Sequence, residues 1–225
     1  VDAIRTMFDA AVPAAYIADG HHRAASAVKV SLARREQAAA KGDPDDAAEK
    51  PYDRFLAVLF PSNQLEILPY NRVVADRNGL SVEQLLGAVR AAGFSVAEAD
   101  AAVEPTRHGQ TGLYVGGTWY DLRLDPARIP DDPVASLDAS LVQDLILGPI
   151  LGIDDPTRDP RISFVGGVRG TDELERRAGD DGVALSMHAT AIDELLSVAD
   201  AGRLMPPKST WFEPKLLSGL FIRQI

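Results

Sequence analysis

The sequence LYVGGTWYDLRL, residues 113–124, contains the clearest β-hairpin of the chain. Two runs rich in aromatic and β-branched residues flank Gly116 and Gly117, and a Gly-Gly pair between such runs is a typical two-residue hairpin turn. Further short apolar runs predict strands at residues 14–18, 55–60, 65–68, 162–165, 183–187 and 220–222. The run at 55–60 and the run at 65–68 are predicted to form a second hairpin.

Helices are predicted between these strands. Apolar residues at helical spacing indicate helices at residues 1–12, 24–39, 81–92, 136–151, 171–178 and 191–201. Ser81 is a plausible N-cap of the third helix, and Gly93 is a plausible end. Hairpins mixed with helices favour an α+β fold with mixed sheets over a regular βαβ repeat.

Charge and composition exclude several classes of protein. The chain has 23 basic and 33 acidic residues in 225, a net charge of -10, which disfavours nucleic acid and anionic membranes as partners. No apolar run is long enough to span a bilayer. The absence of cysteine excludes disulfides and thiolate chemistry and fits a reducing cytoplasm. Any phosphate that this protein binds must therefore be held by a local cluster of donors.

One such cluster follows the predicted strand at residues 14–18. Asp19, Gly20, His21, His22 and Arg23 form a turn just before a helix. The free N–H groups at a helix start bind anions, and the Arg23 guanidinium suits phosphate or carboxylate. Gly20 allows a positive φ or the close approach of a ligand. Asp19 is a candidate general base or magnesium ligand.

Structural alternatives for the same turn stay open. Asp19 could cap the helix, Arg23 could pair with an acidic neighbour, and His22 could be an ordinary surface residue. A zinc site is disfavoured because adjacent histidines lack the i, i+4 spacing and no third ligand is nearby. No metal-ligating set is assigned.

A second polar cluster lies near the C-terminal end of the sequence. Lys208, Ser209, Thr210, Glu213 and Lys215 surround an aromatic pair. The lysines and hydroxyls are candidate phosphate or nucleotide ligands, and Glu213 is a candidate for positioning a substrate or metal. The alternative is a surface loop whose aromatic pair is anchored in the core.

Other polar residues are weaker candidates. Asn71 and Arg72 lie at a strand end, where they could position a substrate. His108 lies in a polar loop, and His188 is either a ligand or a partly buried structural residue. A last group, Asp138 and Asp144, is predicted to lie on or near a solvated helix face.

The first turn resembles that of a known superfamily. The sequence IADGHHR, residues 17–23, followed by AASA, is similar to the glycine–x–x–arginine turn of the ParB/sulfiredoxin-like superfamily. The resemblance implies a strand–turn–helix site that contacts nucleotide phosphates. The aspartate–glycine–histidine–histidine–arginine version resembles the one in the free-serine kinases of that superfamily.

The whole chain also resembles the domain-of-unknown-function family 1015, an uncharacterised bacterial and archaeal family. The matching segments are LPYNRVV at 68–74, QDLIL at 143–147, FVGG at 164–167 and MPPKSTWFEPK at 205–215. The family is longer at its N-terminus, which implies that residues 1–80 are the C-terminal part of an incomplete ParB/sulfiredoxin-like domain. Residues 81–225 are then an α+β domain that packs on it and supplies the loop 205–215.

These resemblances imply a small-molecule phosphotransferase that uses ATP or ADP with Mg²⁺. Asp19 would take the acceptor proton, and His21, His22 and Arg23 would stabilise phosphoryl charge together with Lys208 and Lys215. Free L-serine is the acceptor implied by the resemblance.

Two other functions were weighed against the kinase. One is a nucleotide-binding regulatory or interaction module without turnover. The other, a sulfiredoxin-like reaction, ranks last because it uses a cysteine in the turn and this chain has none. The sequence leaves the oligomeric state open.

Overall fold

The computed structural model describes residues 2–42, 48–215, 217, 219–220 and 222. The chain forms two compact units. The smaller unit contains Val1–Leu65 and Pro214–Ile225, and the larger unit contains Glu66–Glu213. Helices and antiparallel strands are both present, which confirms the predicted α+β class.

The smaller unit has two helices in its described residues, α1 (Asp2–Ala11) and α2 (His21–Ala40). The first confirms the helix predicted from apolar spacing. The second begins three residues before the predicted start at residue 24, so that both adjacent histidines and Arg23 lie in its first turn. The candidate phosphate turn is therefore the start of a 20-residue helix.

An ion pair attaches α2 to the turn at residues 50–53. The Arg35 guanidinium donates to the Asp53 carboxylate, which also accepts from the Lys50 N–H at 2.8 Å and the Ser31 hydroxyl at 2.9 Å. The Arg35 hydrogen bond, followed by the Lys50 N–H, lowers the pKa of Asp53 to about 2. The middle of α2 is thus held by a network that does not involve its first turn.

The prediction of strands at residues 14–18 and 55–60 is wrong. Both segments belong to no helix or strand. None of the described residues in the smaller unit is buried, and Phe55 and Leu59 in the second run are 51% and 60% exposed. An apolar run becomes a strand only where a neighbouring strand accepts its backbone hydrogen bonds. The candidate phosphate turn therefore follows an irregular segment.

The predicted hairpin of residues 55–68 is wrong for a related reason. Strand β1 (Glu66–Leu68) pairs antiparallel with β8 (Trp211–Glu213), with Ile67 opposite Phe212. This partner is far away in sequence, so no local signal indicates it. The strand predicted at 220–222 is not seen at Leu220 or Ile222, and residue 221 lies outside the described residues.

The larger unit is organised around a six-stranded antiparallel sheet. Its strand order is β3–β5–β4–β7–β2–β6. The strands are β2 (Tyr70–Val74), β3 (Phe94–Ala99), β4 (Gln110–Val115), β5 (Thr118–Leu124), β6 (Ile162–Gly166) and β7 (Val183–Met187). The predicted hairpin at 113–124 is confirmed as β4 and β5. Gly116 and Gly117 both have positive φ, 58° and 80°, as a type I′ turn requires.

The α-helices of the larger unit bury apolar side chains. They are α3 (Val82–Ala91), α4 (Asp138–Val142), α5 (Asp172–Ala178) and α6 (Ile192–Asp200). The predicted N-cap of α3 is confirmed, because Ser81 Oγ accepts from the Gln84 N–H at 3.2 Å. The Gln84 side chain accepts from the Ser81 N–H at 2.8 Å, which completes a capping box. Leu85, Leu86 and Val89 are then buried in the main core.

The helix predicted at residues 136–151 is shorter and changes its winding. After α4, residues Gln143–Leu147 form a π-helical turn, in which the Gly148 N–H donates to Gln143 O at 2.9 Å. Such turns are rare and frequently lie at functional sites. The π-helical turn at Gln143–Leu147 lines a small cavity.

Gly87→Ala is expected to raise the free energy of unfolding by about 0.5–1 kcal/mol. Gly87 lies inside α3, is exposed, and a Cβ there would meet no atom within 4 Å. The gain comes from the lower backbone entropy of alanine in the unfolded chain. Urea unfolding of the full chain followed by circular dichroism measures it. Gly93→Ala is the matched control at the end of the same helix: its φ is +102° and its Cβ would strike the Arg128 side chain, so it should lose stability. A loss at Gly87 would contradict this account.

Candidate functional site

The turn at residues 19–23 presents free donors at the start of α2. Gly20 is the N-cap residue, with φ 84° and ψ 24°, and no side chain caps the helix. The first N–H groups of a helix have no partner within it. The positive end of the helix dipole is therefore open to an anion at this point.

Glycine at position 20 lets the arginine lie over the turn. A Cβ there would be 3.1 Å from Arg23 Nη2 and 3.2 Å from its Nε. The guanidinium therefore lies close to the backbone of the residue that begins the helix. Arg23 makes no ion pair with a carboxylate of the described residues, so the alternative of pairing with an acidic neighbour is not what the structure shows.

Asp19 does not cap α2 either. Its Oδ1 accepts from the N–H of the next residue, Gly20, at 2.8 Å. Its Oδ2 lies 3.7 Å from Lys215 Nζ, and both side chains are nearly half exposed. The structure thus brings together one residue of each predicted cluster, a carboxylate and an ammonium group, beside the free end of the helix.

The two histidines are the first residues of α2 and are exposed. Successive side chains of a helix point about 100° apart, so His21 and His22 do not share one direction. Their catalytic roles remain predictions.

The other residues of the second predicted cluster lie in the larger unit. Ser209 is buried, its hydroxyl donates to Pro206 O at 2.8 Å, and its carbonyl accepts from Thr190 Oγ1 at 3.0 Å. Glu213 Oε1 accepts from the Trp211 indole N–H at 2.7 Å. Thr210 is half-buried between them. The Ser209 hydroxyl, which is predicted to bind phosphate, and the Glu213 carboxylate, which is predicted to position a substrate or metal, thus make hydrogen bonds within the segment.

Lys208 is positioned by an unusual backbone and by aromatic rings. Its φ is 57°, a left-handed value that is uncommon outside glycine. Its Nζ lies 5.6 Å from the centre of the Tyr70 ring and 6.0 Å from that of Phe164. The aromatic pair beside it is anchored as the structural alternative expected, since Phe212 is buried and the Trp211 ring packs on Tyr70 at 5.3 Å.

Asn71 and Arg72 are the two strand residues predicted to position a substrate. The side chain of Asn71 makes a hydrogen bond within the fold. It is buried in β2, and its Oδ1 accepts from the Met187 N–H at 2.9 Å. Arg72 is different. It is 4% exposed, it donates to Tyr70 O and to Lys208 O, and it forms one wall of a cavity.

The sequence did not predict a buried carboxylate, Asp138, with two histidines beside it. Asp138 was predicted on a solvated helix face, but it is 7% exposed, whereas Asp144 is exposed as predicted. Asp138 Oδ1 accepts from the Gly109 N–H at 2.8 Å, and its Oδ2 lies 3.6 Å from His188 Nδ1 and 3.9 Å from His108 Nε2. The two weakest histidine candidates therefore face the same carboxylate.

Burial and the neighbouring groups have opposite effects on the pKa of Asp138. Burial raises the pKa of Asp138, while His108, the Gly109 N–H and His188 each act to lower it. His108 Nε2 lies 2.6 Å from Ser136 O, which identifies it as the protonated ring nitrogen. His188 Nδ1 is buried without a hydrogen-bond partner in the described residues. The buried carboxyl thus lies between two imidazoles and accepts one backbone N–H.

A signal for this burial was present in the sequence. Residues 141, 142 and 145 are apolar, and they lie three, four and seven positions after Asp138. That spacing puts the aspartate on the apolar face of its helix. A carboxyl on such a face needs hydrogen-bond donors, which the loop at Gly109 supplies from another part of the chain.

In the described part of the chain, no helix combines the length and the apolar character that crossing a bilayer requires. Within the same residues, no three or more histidine, aspartate and glutamate side chains are grouped so that they could hold a metal ion.

The chain is an α+β protein in which Arg23 lies at the uncapped start of α2. A family model described as "Protein of unknown function (DUF1015)" matches residues 1–140, and the chain belongs to this family. This confirms the resemblance drawn from the sequence. A search of curated proteins found no match.

Solved structures of similar fold include kinases. A free serine kinase variant in complex with ADP has 14% identity and a TM-score of 0.43, over 70% of this chain and 57% of its own. A free serine kinase in complex with AMP has 13% identity and the same coverage and TM-score. A conserved hypothetical protein from Pyrococcus furiosus has 16% identity and a TM-score of 0.45, over 87% of this chain and 68% of its own. The chain spans slightly more than half the length of these free serine kinases.

Proposed function

We propose that this protein is a nucleotide-dependent phosphotransferase acting on a small alcohol, with the nucleotide phosphates at the turn of residues 19–23. The observation that carries the proposal is the Arg23 guanidinium lying over Gly20 at the uncapped start of α2. Backbone N–H groups and a guanidinium at one point are the donors that phosphate oxygens require. The structural alternatives for these residues, a helix cap and an acidic partner, are not what the described contacts show.

Local charge also supports the proposal. The chain has a net charge of -10, so an anion cannot be held by the overall field of the protein. Lys215 adds a second positive group beside the turn, 3.7 Å from Asp19. Phosphoryl transfer depends mainly on positioning and charge neutralisation, which these groups can supply.

The proposed reaction uses Asp19 as the base. The acceptor hydroxyl oxygen forms a bond to the terminal phosphorus, the bond between that phosphorus and the nucleotide breaks, and the hydroxyl proton passes to the Asp19 carboxylate. ATP would leave as ADP, or ADP as AMP. Free L-serine is the acceptor that the sequence resemblance implies. His21, His22 and Lys215 are proposed to stabilise the phosphoryl charge. The Ser209 hydroxyl, the Glu213 carboxylate and the Asn71 amide make hydrogen bonds within the larger unit.

The oxygen ligands available at this turn suit a magnesium ion. Mg²⁺ is usually held by one or two carboxylates together with nucleotide phosphates, and Asp19 is a half-exposed carboxylate at the start of α2. The ion would neutralise phosphate charge there.

Arg23→Ala is expected to weaken ATP or ADP binding by about tenfold or more, because a charge-assisted hydrogen bond contributes roughly 1.5–3 kcal/mol. Isothermal titration calorimetry on the full chain with Mg²⁺ measures the affinity. Arg5→Ala is the matched control, since Arg5 is an exposed arginine of α1 whose ion pair is with Asp2. It should leave nucleotide binding unchanged.

The reaction is tested separately from binding. The full chain is incubated with ATP or ADP, Mg²⁺ and a panel of amino acids and polyols, and phosphorylated products are sought by mass spectrometry. Nucleotide binding that depends on Arg23 without any product would favour a nucleotide-binding module over a kinase. Absence of nucleotide binding would overturn both.

A further inference from the structure

Strand β3 forms one edge of the six-stranded sheet and is paired on one side only. The hydrogen bonds at its start show which of its backbone groups face outward. The Asp125 N–H donates to Gly93 O at 3.1 Å, and bonded and non-bonded pairs alternate along an antiparallel ladder. The N–H and C=O groups of Phe94, Val96 and Glu98, which alternate with the bonded pairs, therefore point away from β5.

This edge lacks the features that usually prevent an edge strand from pairing. The sequence of β3, FSVAEA, contains no proline and no basic residue, and its register with β5 has no bulge. Within the described residues, the outward groups of β3 make no hydrogen bond. At the opposite edge, β6, the Ile162 N–H donates to Asp159 O at 3.4 Å, and the Trp211 ring lies against the last residue of the strand. The edge that another strand can extend is therefore β3.

The start of β3 carries positive charge. The Arg128 side chain lies against Gly93 and donates to Ala92 O at 3.3 Å, and Arg90 in the last turn of α3 is a second exposed arginine. Neither arginine makes an ion pair with the described residues. The carboxylate of Asp125 is also at this end, where it accepts a backbone N–H at 3.0 Å. Two arginines and one carboxylate leave this end of the edge positive.

The other end of β3 carries negative charge. Glu98 and Asp100 are exposed there, and neither carboxylate makes an ion pair in the described part of the chain. A second copy of β3 can run antiparallel to the first, with Val96 opposite its own equivalent. Asp100 of each copy then lies opposite Ala92 of the other, whose carbonyl accepts from Arg128. The edge is therefore complementary in charge to a second copy of itself.

We propose that two copies of this protein form a symmetric dimer in which their β3 strands pair antiparallel about a two-fold axis at Val96. In this register the pairs 94–98, 96–96 and 98–94 each exchange two backbone hydrogen bonds, so every outward group of the edge is used. Any other antiparallel register leaves some of these groups unpaired. The sheet then continues across both copies, and because the contact is self-complementary it closes at two.

The oligomeric state of the full chain is measured by sedimentation equilibrium over a series of protein concentrations. A concentration-dependent dimer is expected, and added sodium chloride is expected to weaken it because exposed ion pairs are screened by salt. A chain that stays monomeric at its highest soluble concentration would overturn the proposal.

A proline variant tests the backbone contact. Val96→Pro removes an N–H that has no partner within the sheet, so both hydrogen bonds of the central pair are lost and dimerisation is expected to weaken by about tenfold or more. Val96→Ala is the matched control, because it shortens the same side chain and keeps the N–H, and it should remain dimeric. Circular dichroism verifies that both variants fold. An unchanged dimer in folded Val96→Pro would place the contact elsewhere and overturn the proposal.

Charge variants test the same contact at exposed positions, even if Val96→Pro fails to fold. Glu98→Lys with Asp100→Lys makes both ends of the edge positive, and Arg90→Glu with Arg128→Glu makes both ends negative. Each double variant alone is expected to dimerise about tenfold or more weakly, whereas an equimolar mixture of the two should recover association. Asp154→Lys, at an exposed aspartate outside β3, is the control and should leave the dimer unchanged. No recovery in the mixture would overturn the antiparallel pairing.

Discussion

Gly112→Val is expected to lower the free energy of unfolding of the larger unit by about 3 kcal/mol or more. Gly112 lies in β4 between β5 and β7, opposite Asp121 and Ser186. A Cβ there would overlap Ser186 Oγ and would be 2.8 Å from Val103 O. Those two atoms form a buried hydrogen bond of 2.6 Å that passes over the glycine. The side chain would add an overpacking cost of about 1–3 kcal/mol to the loss of that bond, also about 1–3 kcal/mol.

Urea unfolding of the full chain, followed by circular dichroism and tryptophan fluorescence, measures this loss. Trp119 is buried in β5, one strand away from the substitution, and reports on the same unit. In the double variant Gly112→Val with Ser186→Ala, part of the loss should be recovered because one of the overlapping atoms is removed. A loss below about 1 kcal/mol, or strict additivity in the double variant, would show that the sheet relaxes around the side chain.

Elements that depend on neighbours in sequence could be predicted from the residues alone. The β4–β5 hairpin needs two residues at positive φ, which Gly116 and Gly117 supply, and the capping box of α3 needs Ser81 and Gln84. In each case the interacting groups are within a few positions of each other. The same locality explains why the α+β class was correct.

Elements that depend on distant partners could not be predicted. The segment at residues 55–60 has the composition of a strand, yet the strand that follows it pairs with residues near the other end of the chain. Periodicity describes which face of a segment is apolar, and it does not identify what that face meets. The strands predicted at 14–18 and 55–60 were wrong for this reason.

The residues of the candidate site also differ in whether their partners are near or distant in sequence. The turn at residues 19–23 is predicted from donors that are adjacent in sequence, and its role stays a prediction. The polar residues near 209 and 213 are bonded to neighbouring backbone and indole groups. Asp138 shows the converse. Its histidine neighbours, His108 and His188, come from loops on either side of it in sequence, and only the folded sheet brings them to one carboxylate.

Asp138→Asn is expected to flatten the pH dependence of stability above the ordinary pKa of an aspartate. Burial raises the pKa of the native Asp138 carboxyl, so between the unfolded and native values the native state binds more protons. The free energy of unfolding of the parent protein therefore falls as pH rises through this window, and the full penalty is present above it. Below the ordinary pKa the penalty is absent. Asparagine has no such titration, so the stability of the variant relative to the parent should increase with pH across the window.

The groups around the Asp138 carboxyl determine how the measured pH dependence of stability is interpreted. His108, His188 and Glu194 lie around it, and Arg72 acts from a greater distance. Asparagine can still accept from the Gly109 N–H, and its amide can donate to His188 Nδ1, which has no hydrogen-bond partner among the described residues. Asp138→Ala keeps neither bond and also lacks the titration, so it should be less stable than Asp138→Asn by about 1–3 kcal/mol at every pH. Urea unfolding at a series of pH values separates the two effects. A parent stability that rises with pH relative to Asp138→Asn would mean that the histidines stabilise the ionised carboxylate more than burial opposes it, and it would reverse the direction assigned to this residue.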